Sequence, residues 1–350
     1  MKDRWALVGA VILVPASLAT LLFHSEPARF AVAAAAMIPL AGLLGDATEE
    51  LAAHAGPRIG GLLNATFGNA AELIVGIFLV ADGELEVVRA SITGSIIGNL
   101  LLVLGASFFA GGLRNKELTF SAESASTGVS SMAIATAGVL MPAIYARGAH
   151  PTEFRIEAVS IGVAAVLLVM YAASLVFALV THPEPRGPAD DAEPATMSVR
   201  AAMILLAVSG ALVALESEIL VGALEPTVRS AGLSRLWVGL ILVPIVANAA
   251  EHSSAVRAAI RRKADLTVAI AVGSSTQVAL VVAPLLVFAG LGFGHHLHLD
   301  FTPFDISAIA LSVVIVAFIV YDGRTNWLEG AQLMAVYAIL AVTSFYLGSH

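Results

Sequence analysis

The sequence predicts an all-α polytopic membrane protein, and three observations carry that reading. First, 58% of the 350 residues are hydrophobic and only 13% charged, with a mean hydropathy of +0.90. A soluble chain carries about twice that charge, because it must cover itself with polar groups. Second, the apolar residues gather into eleven runs of roughly the length that crosses a bilayer. Third, those runs are continuous rather than alternating, so they read as helices and not as barrel strands. A soluble enzyme, a disordered chain and a fibrous repeat are excluded. The formal charge of −8 speaks against a nucleic-acid partner. With no cysteine, disulfides, thiolate metal sites and thiol catalysis are excluded as well.

The runs justify their places in order. Trp5–Phe23 follows Lys2 and Arg4, as a secretory signal would. It is longer than the usual signal core of about 7–15 residues and ends in no small-x-small cleavage site, so residues 1–28 read as a leading membrane helix. Phe30–Leu44 is short and continues into Asp46-Ala-Thr-Glu-Glu50, so it is expected to end in a polar cavity or at the interface. Gly60–Val80, Ser91–Ala110, Gly128–Tyr145 and Ile156–Val180 complete a first group of five over residues 29–181. His182–Pro194 holds four prolines and four acids, poor material for a helix or a membrane, and residues 182–197 read as a cytoplasmic linker. A second group of five fills residues 198–350: Ala201–Leu224, Leu236–Ile260, Leu266–Ala289, Ile306–Tyr321 and Ala331–Leu347. With the N-terminus inside, twelve of the 18 lysines and arginines fall on the cytoplasmic side, the densest cluster being Arg257 to Lys263. That bias sets the N-terminus in and the C-terminus out.

The chain matches itself at an offset of 179: Asn69-Ala-Ala-Glu72 falls on Asn248-Ala-Ala-Glu251, and Gly94-Ser95 on Gly273-Ser274 without a gap. The copies lie in the third and eighth runs. An odd separation makes those helices cross the membrane in opposite directions, and inverted repeats of this kind mark secondary transporters with a site near the midplane.

The acids are the chemistry. Ala65, Asn69, Glu72 and Gly76 fall at i, i+4, i+7 and i+11, one face of an uninterrupted helix. Pro244, Asn248, Glu251 and Ala255 take that face in the second copy, where Pro244 is expected to bend or break the helix. An ionised glutamate at mid-bilayer costs at least about 2.5–3.5 kcal/mol. Neither helix core offers a lysine or arginine to neutralise Glu72 or Glu251, so the pair calls for a cation or protons. The competing reading is a pair of protonated, hydrogen-bonding carboxyls. For Asn69, Asn248, Ser95, Ser274, Ser275, Thr276, Gln277, Asn99 and His252, it is helix–helix hydrogen bonding.

Gly60-Gly-Leu-Leu-Asn-Ala-Thr-Phe-Gly-Asn-Ala-Ala-Glu-Leu-Ile74 resembles the first signature of the calcium/proton antiporters of the cation exchanger family, and Val243-Pro-Ile-Val-Ala-Asn-Ala-Ala-Glu-His252 resembles its second. Thr48-Glu-Glu-Leu51, Gly222-Ala-Leu-Glu-Pro226 and Gly273-Ser-Ser-Thr-Gln277 add matches in the same order. The resemblance implies eleven transmembrane helices, one leading helix and two inverted five-helix repeats. It also implies that Glu72 and Glu251 bind Ca2+ and exchange it for protons, aided by Asn69, Asn248, Ser95, Ser274 and Gln277. Ala247 stands where glycine is expected. A sodium/calcium exchanger is the nearest alternative, but there a proline is expected directly before each acid, and here each follows Asn-Ala-Ala. A Mn2+ or Cd2+ antiporter stays open too.

Asn99, Ser275, His252, Glu49, Glu50, Glu216 and Glu218 are candidate supporting residues. The four acids could gate the entrances, tie helix ends, or simply lie at the membrane interface. Gly294-His-His-Leu-His-Leu-Asp300 reads as a wet outer loop, with metal sensing by His295, His296 and His298 as the alternative. A cation channel would not need the inverted repeat. An intramembrane protease lacks its motif, since Gly42-Leu-Leu-Gly-Asp46 is not Gly-x-Gly-Asp. The expected partners are the lipid bilayer, Ca2+ and protons, with no resident cofactor and the oligomeric state open. The compact chain points to a bacterial plasma membrane.

Overall fold

The computed structural model describes residues 4–23, 25–148, 151–181 and 195–347, so the acidic stretch His182–Pro194 lies outside the described residues. The molecule is almost entirely helical. The leading run forms α1 (Arg4–Thr20). The second run extends well beyond Leu44, as α2 spans Glu26–Phe67 and carries Asp46 to Glu50 inside the helix. It is kinked at Gly56, whose φ of 77° and ψ of 172° suit a residue without a Cβ, and Pro57 disfavours helical backbone at the residue before it. After a turn at Gly68-Asn69 comes α3 (Ala70–Ala81).

The next path is α4 (Leu85–Ile97), a π-helical turn at Gly98–Val103 and α5 (Leu104–Asn115). Helices α6 (Ala122–Gly148) and α7 (Glu153–Val176) complete the first half. The second half begins with α8 (Val199–Gly222) and a short α9 (Leu224–Ala231). There follow α10 (Arg235–Trp237), a π-helical turn at Val238–Leu242, α11 (Val243–Ala247) and, across a turn at Asn248, α12 (Ala249–Ile260). Helix α13 (Ala264–Gln277) runs through a π-helical turn at Val278–Val282 into α14 (Ala283–Phe293). Helices α15 (Pro303–Ile319) and α16 (Trp327–Leu347) end the chain. The all-α expectation omits one feature: β1 (Glu117–Thr119) pairs antiparallel with β2 (Arg324–Asn326), with Leu118 opposite Thr325.

Among the described residues seven helices are long and apolar enough to cross a membrane, and the pair Leu224–Ala231 and Arg235–Ala247, bent by 119°, makes an eighth if counted as one span. Arg4–Thr20, Ala70–Ala81 and Pro303–Ile319 are apolar but shorter. The chain is therefore a membrane protein with transmembrane helices. Its residues group into two compact units, neither of which follows the two groups of five. One comprises residues 1–78, 168–231 and 246–250, the other residues 79–167, 232–245 and 251–350.

In the first unit α2 is the spine, packed against α1 and α8. Glycines and alanines on α1 and α2 let the two approach closely: Gly42 faces Trp5 and Ala6, and Gly9 faces Pro39. In the second unit α4 and its π turn lie against the π turn before α11 and against α13. Gly94 decides that packing. A Cβ there would lie 2.1 Å from the carbonyl oxygen of Leu240 and 2.6 Å from Cγ of Pro244. Its repeat counterpart Gly273 has no neighbour within 4 Å of the same position. Gly94→Val should therefore destabilise the protein by about 1–3 kcal/mol or more through forced backbone separation, while Gly273→Val should cost clearly less. Thermal unfolding of both variants in detergent checks this, and equal losses would contradict it.

Candidate cation and proton site

Both signature carboxylates begin a half-helix. Glu72 lies in the first turn of α3, after the turn at Gly68-Asn69. Glu251 lies in the first turn of α12, after the turn at Asn248. The two interruptions fall at asparagines matched by the 179-residue offset. This corrects two expectations. Asn69 and Glu72 do not lie on one helix with Ala65, because the chain turns at Gly68-Asn69, and the second break falls at Asn248 rather than at Pro244. The π turn just ahead of Pro244 takes up the proline. There the N–H of Val243 reaches back five residues to the carbonyl of Val238, a looser turn with room for a ring and a missing donor. At each break a new helix begins, and the positive end of its dipole favours a carboxylate. The end of the preceding half presents carbonyls, which favour a cation.

Within the first unit Asn69, Glu72 and Asn248 are all buried, between 2% and 8% exposed. Within the second unit the structure brings Glu251, Ser274 and Asn99 into one chain. The Ser274 side chain hydrogen-bonds the Glu251 carboxylate, and Asn99 Nδ2 donates to Ser274 Oγ at 3.0 Å. A buried carboxylate oxygen, Oε2 of Glu251, has no hydrogen-bond partner among the described residues. Ser275 Oγ donates to the carbonyls of Ala271 at 2.9 Å and of Ile96 at 3.3 Å, so it ties α13 to α4. Ser95 is buried in α4, and Gln277 is half-buried at the end of α13, beside its π turn. His252 follows Glu251 and is half-buried. Amides and hydroxyls such as these carry hard oxygens of the kind Ca2+ takes at roughly 2.3–2.6 Å. Among the described residues no three His, Asp or Glu side chains converge to hold a metal.

The supporting acids resolve differently from one another. Glu50 is no gate. Its carboxylate accepts from Thr196 N at 2.8 Å, Thr196 Oγ1 at 2.5 Å and Met197 N at 3.2 Å, so it ties α2 to the backbone just before α8. Glu216 is buried on α8 against Ser17. Glu49 and Glu218 are exposed. The histidine loop is held in place by protein contacts. His295 Nδ1 meets the Val80 carbonyl at 2.9 Å, His296 Nδ1 meets Glu157 Oε1 at 2.5 Å, and the N–H of Leu299 donates to Ser160 Oγ at 3.0 Å. Sequence reasoning missed the ion pairs Arg89–Asp300 at 3.0 Å and Arg235–Glu84 at 3.1 Å, whose partners stand 211 and 151 positions apart with no shared pattern.

The profile of the sodium/calcium exchanger proteins matches the chain over residues 26–180 and again over residues 201–346. The chain belongs to that family. A protein of Aphanothece halophytica named Ca(2+)/H(+) antiporter is 41% identical over 356 residues, which cover 97% of this chain and 95% of the relative. The Ca(2+)/H(+) antiporter ChaA of Bacillus subtilis is also 41% identical, over 95% of this chain and 97% of its own length. Among solved structures, native YfkE superposes with a TM-score of 0.86 at 36% identity, over 97% of this chain and 99% of that one. The resemblance carried by the two signatures thus extends over nearly the whole chain, and this member of the family is an integral membrane antiporter.

The Glu50 contact makes a direct prediction. Glu50→Ala strands three donors near the start of α8 and should cost about 1.5–3 kcal/mol, the range for hydrogen bonds to a charged group. Thermal unfolding of the purified variant should show a drop of several degrees, and an unchanged midpoint would mean that the clamp contributes nothing.

Proposed function

We propose that this protein exchanges Ca2+ for H+ across a bacterial plasma membrane by alternating access, with Glu72 and Glu251 taking the cation or protons in turn. The observation that carries the reading is the equivalence of the two carboxylates. Each opens a half-helix after a broken asparagine turn, and no lysine or arginine lies in either α3 or the first turns of α12. The names of the relatives support Ca2+ and H+ as the exchanged pair. The double match of the family profile supports two repeats. The seven long helices, the bent pair and the three shorter apolar ones support eleven spans, and the lysine and arginine bias supports an inside N-terminus.

The electrostatics give the coupling. Two carboxylates match the 2+ charge of Ca2+, so the loaded pair carries no net charge. When the metal leaves, two bare carboxylates in a low-dielectric setting are unfavourable, and protons take the vacancy. The proton-loaded form is neutral again and reorients, whereas the empty, doubly charged form does not. Asn69, Asn248, Ser95, Ser274 and Gln277 supply neutral oxygens. Asn99 steadies Ser274, which in turn steadies Glu251. Ca2+ is cargo, and this chemistry asks for no resident cofactor. Nothing in it forms or breaks a covalent bond, so the protein acts as a transporter and not as an enzyme.

Sodium as the driving ion is the second reading, favoured by the description of the family itself. Uptake of radioactive Ca2+ into proteoliposomes separates the two. A pH gradient alone should drive uptake, a sodium gradient should not, and Glu72→Gln or Glu251→Gln should lower uptake at least about tenfold. Because protons and Ca2+ compete for the same oxygens, apparent Ca2+ affinity should rise with pH, by at most about 100-fold per unit if two protons are displaced. Uptake that follows sodium, or that survives loss of Glu72, would overturn the proposal.

A further inference from the structure

Among the buried carboxyls outside both signatures is Glu216, and the exchange chemistry makes no use of it. Glu216 on α8 is 0% exposed, as is Ser17 on α1. The Ser17 hydroxyl lies 2.6 Å from Glu216 Oε2, and no hydrogen bond reaches Oε1 among the described residues.

The helices packed on α8 are α1, α2 and α9. From Trp5 to its end, α1 contains no ionisable residue. On α2 the stretch 30–45 contains none either, and this stretch includes Met37, whose sulfur lies 3.9 Å from the hydroxyl of Ser217. Arg29, near the start of α2, is held by both carboxylate oxygens of Glu26 at 2.9 and 2.7 Å and by the Phe23 carbonyl. On α9, Glu225 and Arg229 pair with each other at 2.6 Å. On α8 itself Arg200 lies more than four turns away, and Glu218 adds only negative charge. An ionised carboxylate at position 216 would thus be a buried anion with one hydrogen bond and no counter-charge. A carboxylic acid suits the same atoms, because its hydroxyl donates to Ser17 Oγ at this distance as readily as it accepts.

We propose that Glu216 is a resident proton site: its carboxyl binds a proton that is not exchanged for metal, and that proton holds the leading helix α1 to α8 through Ser17. The site is distinct from Glu72 and Glu251, and it stands whether the driving ion is H+ or Na+.

The sign of the pH dependence follows. An unfolded chain in neutral solution leaves a glutamate ionised, so the folded state binds one proton more, and the stability from this contact falls as pH rises. The test is thermal unfolding of the full chain in detergent from about pH 5 to about pH 9, for wild type, Glu216→Gln and Ser17→Ala. Glutamine keeps the shape and cannot lose a proton. The wild type and the glutamine variant should melt close together at the acid end, and the variant several degrees higher at the alkaline end. Ser17→Ala should lower the acid-end midpoint, and less so when combined with Glu216→Gln than the separate losses would give. A glutamine variant that melts lower than wild type by a margin growing with pH would show an ionised, partnered carboxylate. A difference that does not change with pH would show that no proton is at stake. Either result overturns the proposal. Glu216→Leu, neutral and of similar size, serves for the same comparison if the glutamine variant does not accumulate.

Discussion

A helix cannot stop inside a bilayer unless its ends find something to bind, and the rest of this structure depends on that constraint. Hydrocarbon offers no water to satisfy loose N–H and C=O groups, so an interruption at membrane depth is a place already committed to polar partners. The chain interrupts itself at Asn69 and at Asn248. In each case it puts a glutamate into the first turn of the helix that resumes. There the helix dipole eases the burial of a carboxylate, though only by about a kcal/mol or two. That is less than the cost of an ionised acid in the membrane, and a bound cation or proton, as proposed above, would supply the remainder. A full helical bond pattern on either side of the break would have left no carbonyls for a metal. A lysine nearby would have left no charge for one.

The two copies share a motif and differ in packing. Gly94 meets the carbonyl of Leu240 and the ring of Pro244 so closely that no Cβ fits, while Gly273 has open space at the matched position. The difference has a physical origin on the partner side. Pro244 cannot donate to a carbonyl one turn back, and the helix answers with the π turn Val238–Leu242. This π turn widens the helix against α4, and only glycine leaves room for it. The matched stretch of the first copy, inside α2, is α-helical with no π turn. Gly94 and Pro244 therefore explain each other, although the repeat alignment pairs each of them with something else.

How much of this was legible in the sequence can be judged residue by residue. Glu72 and Glu251 were legible because charge in an apolar run is conspicuous and because each occurs twice in register. The helical class was legible for the same reason of hydropathy, since continuous apolar runs leave few alternatives. The site of the second break was misplaced at Pro244, because the sequence shows a helix breaker but not the π turn that absorbs it. The role of Glu50 was legible only as one of three readings, and the partners were not: of gating, tying helix ends and lying at the interface, its carboxylate ties α2 to backbone donors at Thr196 and Met197, 146 and 147 residues on. Contacts of that range leave no period in the chain. Ser17 and Glu216, 199 positions apart, are a further case.

These distinctions separate three kinds of buried acid that look alike in sequence. Glu50 is anchored by three donors, two of them backbone N–H groups, which is what an ionised carboxylate needs when no cation is near. Glu251 has one hydroxyl partner and a second oxygen with none, an arrangement left incomplete in a way that a metal or a proton completes. Glu216 also has one hydroxyl partner, yet it sits on an unbroken helix rather than in the first turn of a resuming one. A metal there would lack ligands, and a proton would not. The number of donors at each carboxylate and the continuity of its helix together decide between anchor, exchange site and fixed acid, where the residue type alone decides nothing.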